Sequence, residues 1–348
     1  MISRLSQGLP EHVRPNIAAL APYSTARDEY DGPIGIFLDA NESPYDNGYN
    51  RYPDPHQAEL KARIAPIKGI PVENLFLGNG SDEAIDLIFR IFCVPRKDNA
   101  VIMAPSYGMY GVTADINDVA VRSIRLDADF NLDTEELLSA CDDRTKVIFL
   151  CSPNNPSGNA FPKEQLLEIC DRFPGVVVVD EAYVDFSEKG TLAAEAVKRD
   201  NLVVLQTLSK ARAMAGLRIG LAISSAEVIR LMSMVKYPYN LSRAAMEKAM
   251  SFIDKPIDND VDTIVSERKR LAALLPRYAF VRKVFPSDAN FLLVRVDDAD
   301  ALYGYLLDKG IIVRNRTRVP GCAGCLRLTV GLPAEDDALL NALDNYTV

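Results

Sequence analysis

The sequence is short of the residues that make metal centres and disulfide frameworks. It holds two histidines, His12 and His56, and six cysteines in 348 residues. Six cysteines in a chain of this length do not make a disulfide framework, and Cys93, Cys141, Cys151 and Cys170 sit in apolar segments, so buried, reduced thiols are expected. Cys322 and Cys325 form one C-x-x-C. A structural zinc site needs a second ligand pair that two histidines in unrelated segments do not supply, so no metal is expected. Positive charge is also scarce: 39 Lys and Arg stand against 48 Asp and Glu, a net charge of -9. That balance argues against nucleic acid as a partner, which is usually met by a concentrated basic face. No apolar run approaches the roughly 18–20 residues that span a bilayer. The opening Met1 to Pro10 lacks the apolar stretch of a secretory signal. A cytoplasmic protein with no membrane partner is expected, and the chain shows no internal repeat or low-complexity tract.

What is present is the composition of an ordinary globular protein, 48% hydrophobic and 25% charged. The length allows one large and one small domain. Between about residues 75 and 224 short apolar runs alternate with helical patterns. Val101–Ala104, Val147–Cys151, Val176–Val179, Leu202–Leu205 and Leu217–Ile223 read as buried strands, and Pro162–Phe173 as an amphipathic helix. The alternation predicts an α/β fold with a mostly parallel sheet covered by helices. Beyond Ile223 come long helices near Ala226–Val235 and Val261–Leu275, strands near Phe280–Phe285 and Asn290–Val296, and a helix near Asp300–Lys309. Strands near Ile311–Arg314 and Leu326–Val330 and a last helix follow. The expected division is an N-terminal arm packing with the small domain (1–30), a large domain (31–240) and a small α+β domain (241–348).

Ligands of open α/β sheets gather beyond the carboxyl ends of the strands. Three such ends carry unusual chemistry. One strand runs into the loop Ser152 to Gly158, the next ends in Asp180-Glu181-Ala182-Tyr183, and the third in Thr207-Leu208-Ser209-Lys210. A lysine in such a crevice can form an imine with an aldehyde cofactor, and an acid such as Asp180 can keep a pyridine nitrogen protonated. Tyr183 and Asn154 are suited to hydrogen-bond a phenolic oxygen of the same cofactor. Asn79-Gly80-Ser81-Asp82-Glu83 opens an apolar helix whose free N–H groups can cradle a phosphate, with Ser81, Ser209 and Arg218 adding a hydroxyl, a second hydroxyl and a guanidinium. Tyr107 can stack on a ring face. Each residue alone also fits a plain structural role: a solvated lysine, a helix cap, a packed ring. The set in one order points to pyridoxal 5'-phosphate held by Lys210.

The chain also resembles a known family, the fold type I pyridoxal-phosphate aminotransferases, and within it the histidinol-phosphate group. The resemblance rests on Leu38 to Pro44, Arg51-Tyr52-Pro53-Asp54, Ser106 to Tyr110, Ser152 to Gly158, Asp180 to Tyr183, Thr207 to Lys210 and Gly216-Leu217-Arg218. It implies a homodimer in which Tyr52 of the partner subunit joins Gly80, Ser81, Asp82, Ser209 and Arg218 at the cofactor phosphate. It also implies a substrate anion site at Arg327 with Arg314 and Tyr23 beside it. Arg316 and Arg318, which share a face with Arg314 if the strand continues, match no family pattern and are left unassigned, as is the C-x-x-C. The implied reaction is transamination between L-glutamate and imidazole-acetol phosphate, giving 2-oxoglutarate and L-histidinol phosphate, in histidine biosynthesis. Two alternatives stay open: an aromatic amino acid aminotransferase, and a lyase similar to threonine-phosphate decarboxylase.

Overall fold

The computed structural model describes residues 12–21 and 35–347, so Tyr23 lies outside the described residues. The chain falls into two compact units, one holding the chain up to Val94 with Ala193–Lys255, the other holding Pro95–Leu192 with the chain from Pro256 onward. The strands, in chain order, are β1 (Leu75–Asn79), β2 (Asn99–Ala104), β3 (Ala120–Arg125), β4 (Thr145–Cys151), β5 (Val176–Asp180) and β6 (Leu202–Thr207). They continue with β7 (Ile219–Ile223), β8 (Val281–Val284), β9 (Phe291–Val296), β10 (Arg314–Asn315) and β11 (Cys325–Thr329). Among the described residues no helix is long and apolar enough to cross a membrane.

In the first unit β7 pairs antiparallel with both β1 and β6, with Gly78 and Thr207 each opposite Gly220. β7 thus departs from the parallel pattern read in the sequence. The cause is the connection Leu208–Arg218, since a parallel crossover needs roughly a dozen residues or more, usually a helix. β7 also starts two residues later than its apolar run suggests. Ala215–Leu217 forms a 3-10 turn and Arg218 takes a left-handed φ of 56°, which ends the extended backbone there. The helix Ser81–Phe92 buries Ile85, Leu87, Ile88, Ile91 and Phe92, each contributing about 1.5–3 kcal/mol. Asp82 and Glu83 in its first turn complement the helix dipole. Its last carbonyls are met by Arg14, whose N–H donates to Ile91 O at 2.8 Å and whose Nη1 donates to Arg90 O at 2.9 Å.

In the second unit β5, β4, β2 and β3 form a parallel set in that order. The four valines of β5 and the apolar residues of β4 are all buried, which explains their unbroken apolar runs. β3 was not expected from the sequence. Its residues AVRSIR bury only Ile124, as suits an edge strand guarded by charge. A second, antiparallel sheet runs β10-β11-β9-β8 over a core of Leu292, Val294, Leu326, Leu328, Leu306 and Leu339. The strand expected over Ile311–Arg314 shrinks to Arg314–Asn315, and Ile312 is exposed. Cys141, expected in the core, is only half-buried.

Candidate active site

In the first unit the candidate phosphate end is built from backbone. β1 delivers Gly80 at φ 74°, ψ 167°, a region open essentially to glycine alone, and Ser81 begins the helix. The Gly80 N–H donates to Arg218 O at 2.7 Å, and a Cβ on Gly80 would stand 2.7 Å from Arg218 Nη2. A Cβ on Gly220 would meet Ser81 N at 2.1 Å and the Gly80 carbonyl carbon at 2.2 Å. β7 therefore runs against the helix start with no side chain between them, and Gly220 is a site residue that no pattern in the sequence marks. The first N–H groups of the helix have no partner within it, so they suit an anion. Arg218 Nη2 lies 3.4 Å from Asp82 Oδ2, both side chains partly exposed. Asp82 thus steers the guanidinium over the cradle.

Ser209 and Lys210 follow β6 in a tight turn, where Leu208 N donates to Ile219 O at 3.0 Å, Ala213 N to Lys210 O at 2.9 Å and Met214 N to Leu208 O at 2.9 Å. The Ser209 N–H is held by Thr207 Oγ1 at 3.1 Å, and Lys210 is exposed. The structure thus gathers Gly80, Ser81, Asp82, Ser209, Lys210 and Arg218 at the ends of β1 and β6 and the start of β7. Tyr52, also in this unit, is half-exposed and stacks on Tyr239 with ring centroids 4.4 Å apart. Its N–H donates to Glu42 Oε1 at 2.6 Å, and Glu42 also pairs with Arg51 at 2.8 Å.

In the second unit the chemistry is carried by buried side chains. Asp180 ends β5 opposite Cys151 of β4 and is 3% exposed. Its Oδ2 accepts from Tyr110 Oη at 2.7 Å and its Oδ1 from Ala182 N at 3.0 Å. Tyr110 is fully buried, stacked on Phe149 and edge-on to Tyr107. Burial, aided by the Asp180 charge, holds its hydroxyl well above the usual tyrosine range. Nothing in the sequence gave Tyr110 this part beyond its place in the Ser106 to Tyr110 segment.

Asn154 is fully buried, and both hydrogens of its Nδ2 are committed, to Pro105 O at 3.0 Å and Ser157 Oγ at 2.7 Å. Its Oδ1 is buried with no hydrogen-bond partner among the described residues. The group Asn154 offers is therefore an acceptor, so it suits the hydroxyl form of a phenol better than the anion. Tyr183 Oη accepts from Asn155 Nδ2 at 3.3 Å. Burial raises its pKa, with the Arg327 charge pulling the other way. Asn155 Oδ1 in turn accepts from Arg327 Nη1 at 2.5 Å, so this unanticipated residue ties Tyr183 to the expected anion ligand. Arg327 lies over the Phe291 ring at 5.2 Å, is half-buried, and stands opposite Arg314 in the β10–β11 register. Burial and the neighbouring charge of Arg316 lower its pKa.

Cys322, in the turn before β11, and Cys325, the first residue of that strand, are buried free thiols, and burial pushes Cys322 up to about 12. Among the described residues no group of three or more His, Cys, Asp or Glu side chains is arranged to hold a metal ion.

Residues 36–343 match the family model for class I and II aminotransferases. The chain belongs to that family. Among curated proteins it is similar to the histidinol-phosphate aminotransferase of Parabacteroides distasonis, 51% identical over 97% of this chain and 98% of that one. The protein of the same name from Bacteroides fragilis is 48% identical over 97% of this chain and 99% of its own. Among solved structures, the histidinol-phosphate aminotransferase of Clostridium acetobutylicum superposes with a TM-score of 0.77 at 26% identity, covering 84% of this chain and 89% of that one. These matches bear out the expected α/β fold of the type I transferases.

Proposed function

We propose that the chain is a histidinol-phosphate aminotransferase: with pyridoxal 5'-phosphate it moves the amino group of L-glutamate to imidazole-acetol phosphate, giving 2-oxoglutarate and L-histidinol phosphate in histidine biosynthesis. The observation that carries this reading is the 51% identity over nearly the whole length to a protein of that name. The residues present fit the cofactor. A cradle that a Cβ at Gly80 or Gly220 would fill suits its phosphate, a buried carboxylate at Asp180 suits its ring nitrogen, and the buried Asn154 Oδ1, unpartnered among the described residues, suits its phenolic oxygen.

Bound by these residues, pyridoxal phosphate supplies a cationic ring that stabilises negative charge at a substrate's α-carbon. Lys210 would hold the cofactor at its aldehyde carbon, and its Nζ would take the proton from the substrate's α-carbon. Asp180 keeps the ring nitrogen protonated, and Tyr110 fixes the orientation of that carboxylate. Tyr183 donates to the phenolic oxygen, Asn154 accepts from it, and Tyr107 covers the ring. Gly80, the Ser81 hydroxyl and the N–H groups that follow, with Ser209 and Arg218, hold the phosphate, and Asp82 orients Arg218. Tyr52 of the partner subunit completes this end in a homodimer, which the half-exposed position of Tyr52 supports. Arg327, with Arg314 and Tyr23, binds the carboxylate of glutamate and the phosphate of the second substrate, both suited to an arginine fork. A cytoplasmic location and a division into arm (1–30), large domain (31–240) and small domain (241–348) belong to the same reading.

The direct test mixes purified holoprotein with histidinol phosphate and 2-oxoglutarate and measures glutamate. Rapid formation is expected. Turnover confined to aromatic amino acids, or release of carbon dioxide from a phosphorylated amino acid, would replace this reading by one of its two rivals.

A further inference from the structure

We propose, on the basis of the function just assigned, that Arg316 is a third guanidinium of the substrate anion site and tilts that site toward a phosphate dianion over a carboxylate. β10 ends at Asn315, yet the ladder contact continues one step, with Arg316 N donating to Cys325 O at 2.8 Å. Side chains alternate along an extended segment, so Arg314 and Arg316 lie on one face. Arg327, opposite Arg314 in register, lies on that face too. Like charges set opposite one another across strands destabilise the pair. Among the described residues none of the three guanidiniums is paired with a carboxylate; the hydrogen bond from Arg327 goes to the neutral amide of Asn155.

The Nε atoms of Arg316 and Arg327 are both buried and without a partner among the described residues. Burial and the charge of Arg314 lower the Arg316 pKa, while the charge of Arg316 weighs on Arg327 more than that of Arg314 does. Arg318, two residues further on, lies past the ladder in the turn that Val319 N closes on Arg316 O at 2.8 Å, and takes no part. Arg316 and Arg327 are half-buried and Arg314 exposed, and a cluster of cations with no acid beside it among the described residues favours an anionic ligand. A carboxylate brings one negative charge, which Arg327 and Arg314 already exceed. A phosphate monoester brings about -1.5 to -2 near neutral pH and three acceptor oxygens, enough to engage a third guanidinium.

The experiment measures kcat/KM separately for the half-reactions with histidinol phosphate and with glutamate, together with inhibition by inorganic phosphate, in wild type, Arg316→Gln, Arg316→Lys and Arg318→Gln. In Arg316→Gln, kcat/KM for histidinol phosphate is expected to fall roughly 10- to 100-fold, mainly through KM. That for glutamate should fall less than about fivefold, and phosphate should inhibit correspondingly less well. Arg316→Lys, which keeps the charge but loses the fork, should recover part of the selectivity and serves as the readout if the Gln variant folds poorly. Arg318→Gln should shift neither rate beyond about twofold. Equal losses on both substrates, or none, in the Arg316 variants would overturn the role given to Arg316 while leaving the aminotransferase reading intact. Failure of the wild type to use histidinol phosphate would overturn both.

Discussion

Between Asn79 and Asp82 the first unit offers backbone: a glycine cap, the open end of a helix, and a strand that presses against it because Gly220 has no side chain. Around Asp180 the second unit offers side chains, most of them buried: Asp180 bonded to Tyr110, Tyr183 linked through Asn155 to Arg327, and Asn154 held by Pro105 and Ser157. The difference suits what each end is asked to do. A phosphate is large, charged and symmetric, and several N–H groups hold it without fine adjustment. A ring nitrogen must be kept protonated by one acid, and that acid must be desolvated and oriented by its neighbours. Substitutions on the two sides should therefore fail differently.

Lys210→Ala should give the largest effect, a loss of turnover of about 10^4-fold, with non-covalent cofactor binding retained in absorbance titrations. Borohydride reduction should leave a pyridoxyl group on the wild-type peptide containing Lys210 and none on the variant's. Near-normal activity of the variant would remove this lysine from the chemistry. Asp180→Asn should come next. Removing one partner of a desolvated ion pair costs about 3–5 kcal/mol, or roughly 150- to 5000-fold in kcat/KM, with cofactor phosphate binding largely kept. A loss under tenfold would mean that the carboxylate does not face a cationic ring.

Tyr110→Phe deletes a charge-assisted hydrogen bond while keeping the packed ring, so a drop of about 1.5–3 kcal/mol is expected in transition-state binding with little change in melting temperature. A large stability loss with unchanged kinetics would make Tyr110 a core residue only. On the backbone side Gly220→Ala should cost about 1–3 kcal/mol, because its Cβ meets main chain that cannot step aside. It should weaken cofactor affinity and lower the melting temperature together, whereas Gly216→Ala, with open space around it, should do neither. Wild-type behaviour of Gly220→Ala would show that the cradle is looser than its contacts imply.

The side-chain half of this comparison was the more legible in the sequence. Asp180, Tyr183 and Asn154 end apolar runs whose unbroken hydrophobicity marks buried strands, so their positions followed from strand ends alone. Arg327 came from the family resemblance, with which the alternating burial along β11 agrees. Tyr110 and Asn155 escaped because their parts depend on partners distant in sequence, Asp180 for one and both Tyr183 and Arg327 for the other. On the backbone side Gly80 and Arg218 were visible as a helix start and a cation near the lysine. Gly220 was not, since a glycine inside an apolar run gives no sign of what approaches it. β3 was missed because an edge strand buries little, and the antiparallel course of β7 because pairing direction is set by the length of a connection rather than by the strand's own residues.

That connection, Leu208 to Arg218, is laced by hydrogen bonds from Leu208, Ala213 and Met214 and clamped where the Arg218 carbonyl meets Gly80. Exposed segments are ordinarily where a chain tolerates being cut and its original termini joined, provided few main-chain bonds cross the cut. This one is exposed at Lys210 yet tied at every turn, so a circular permutant opened there would lose strand β7 along with the amine, while one opened at Glu188–Gly190, exposed throughout, would keep both.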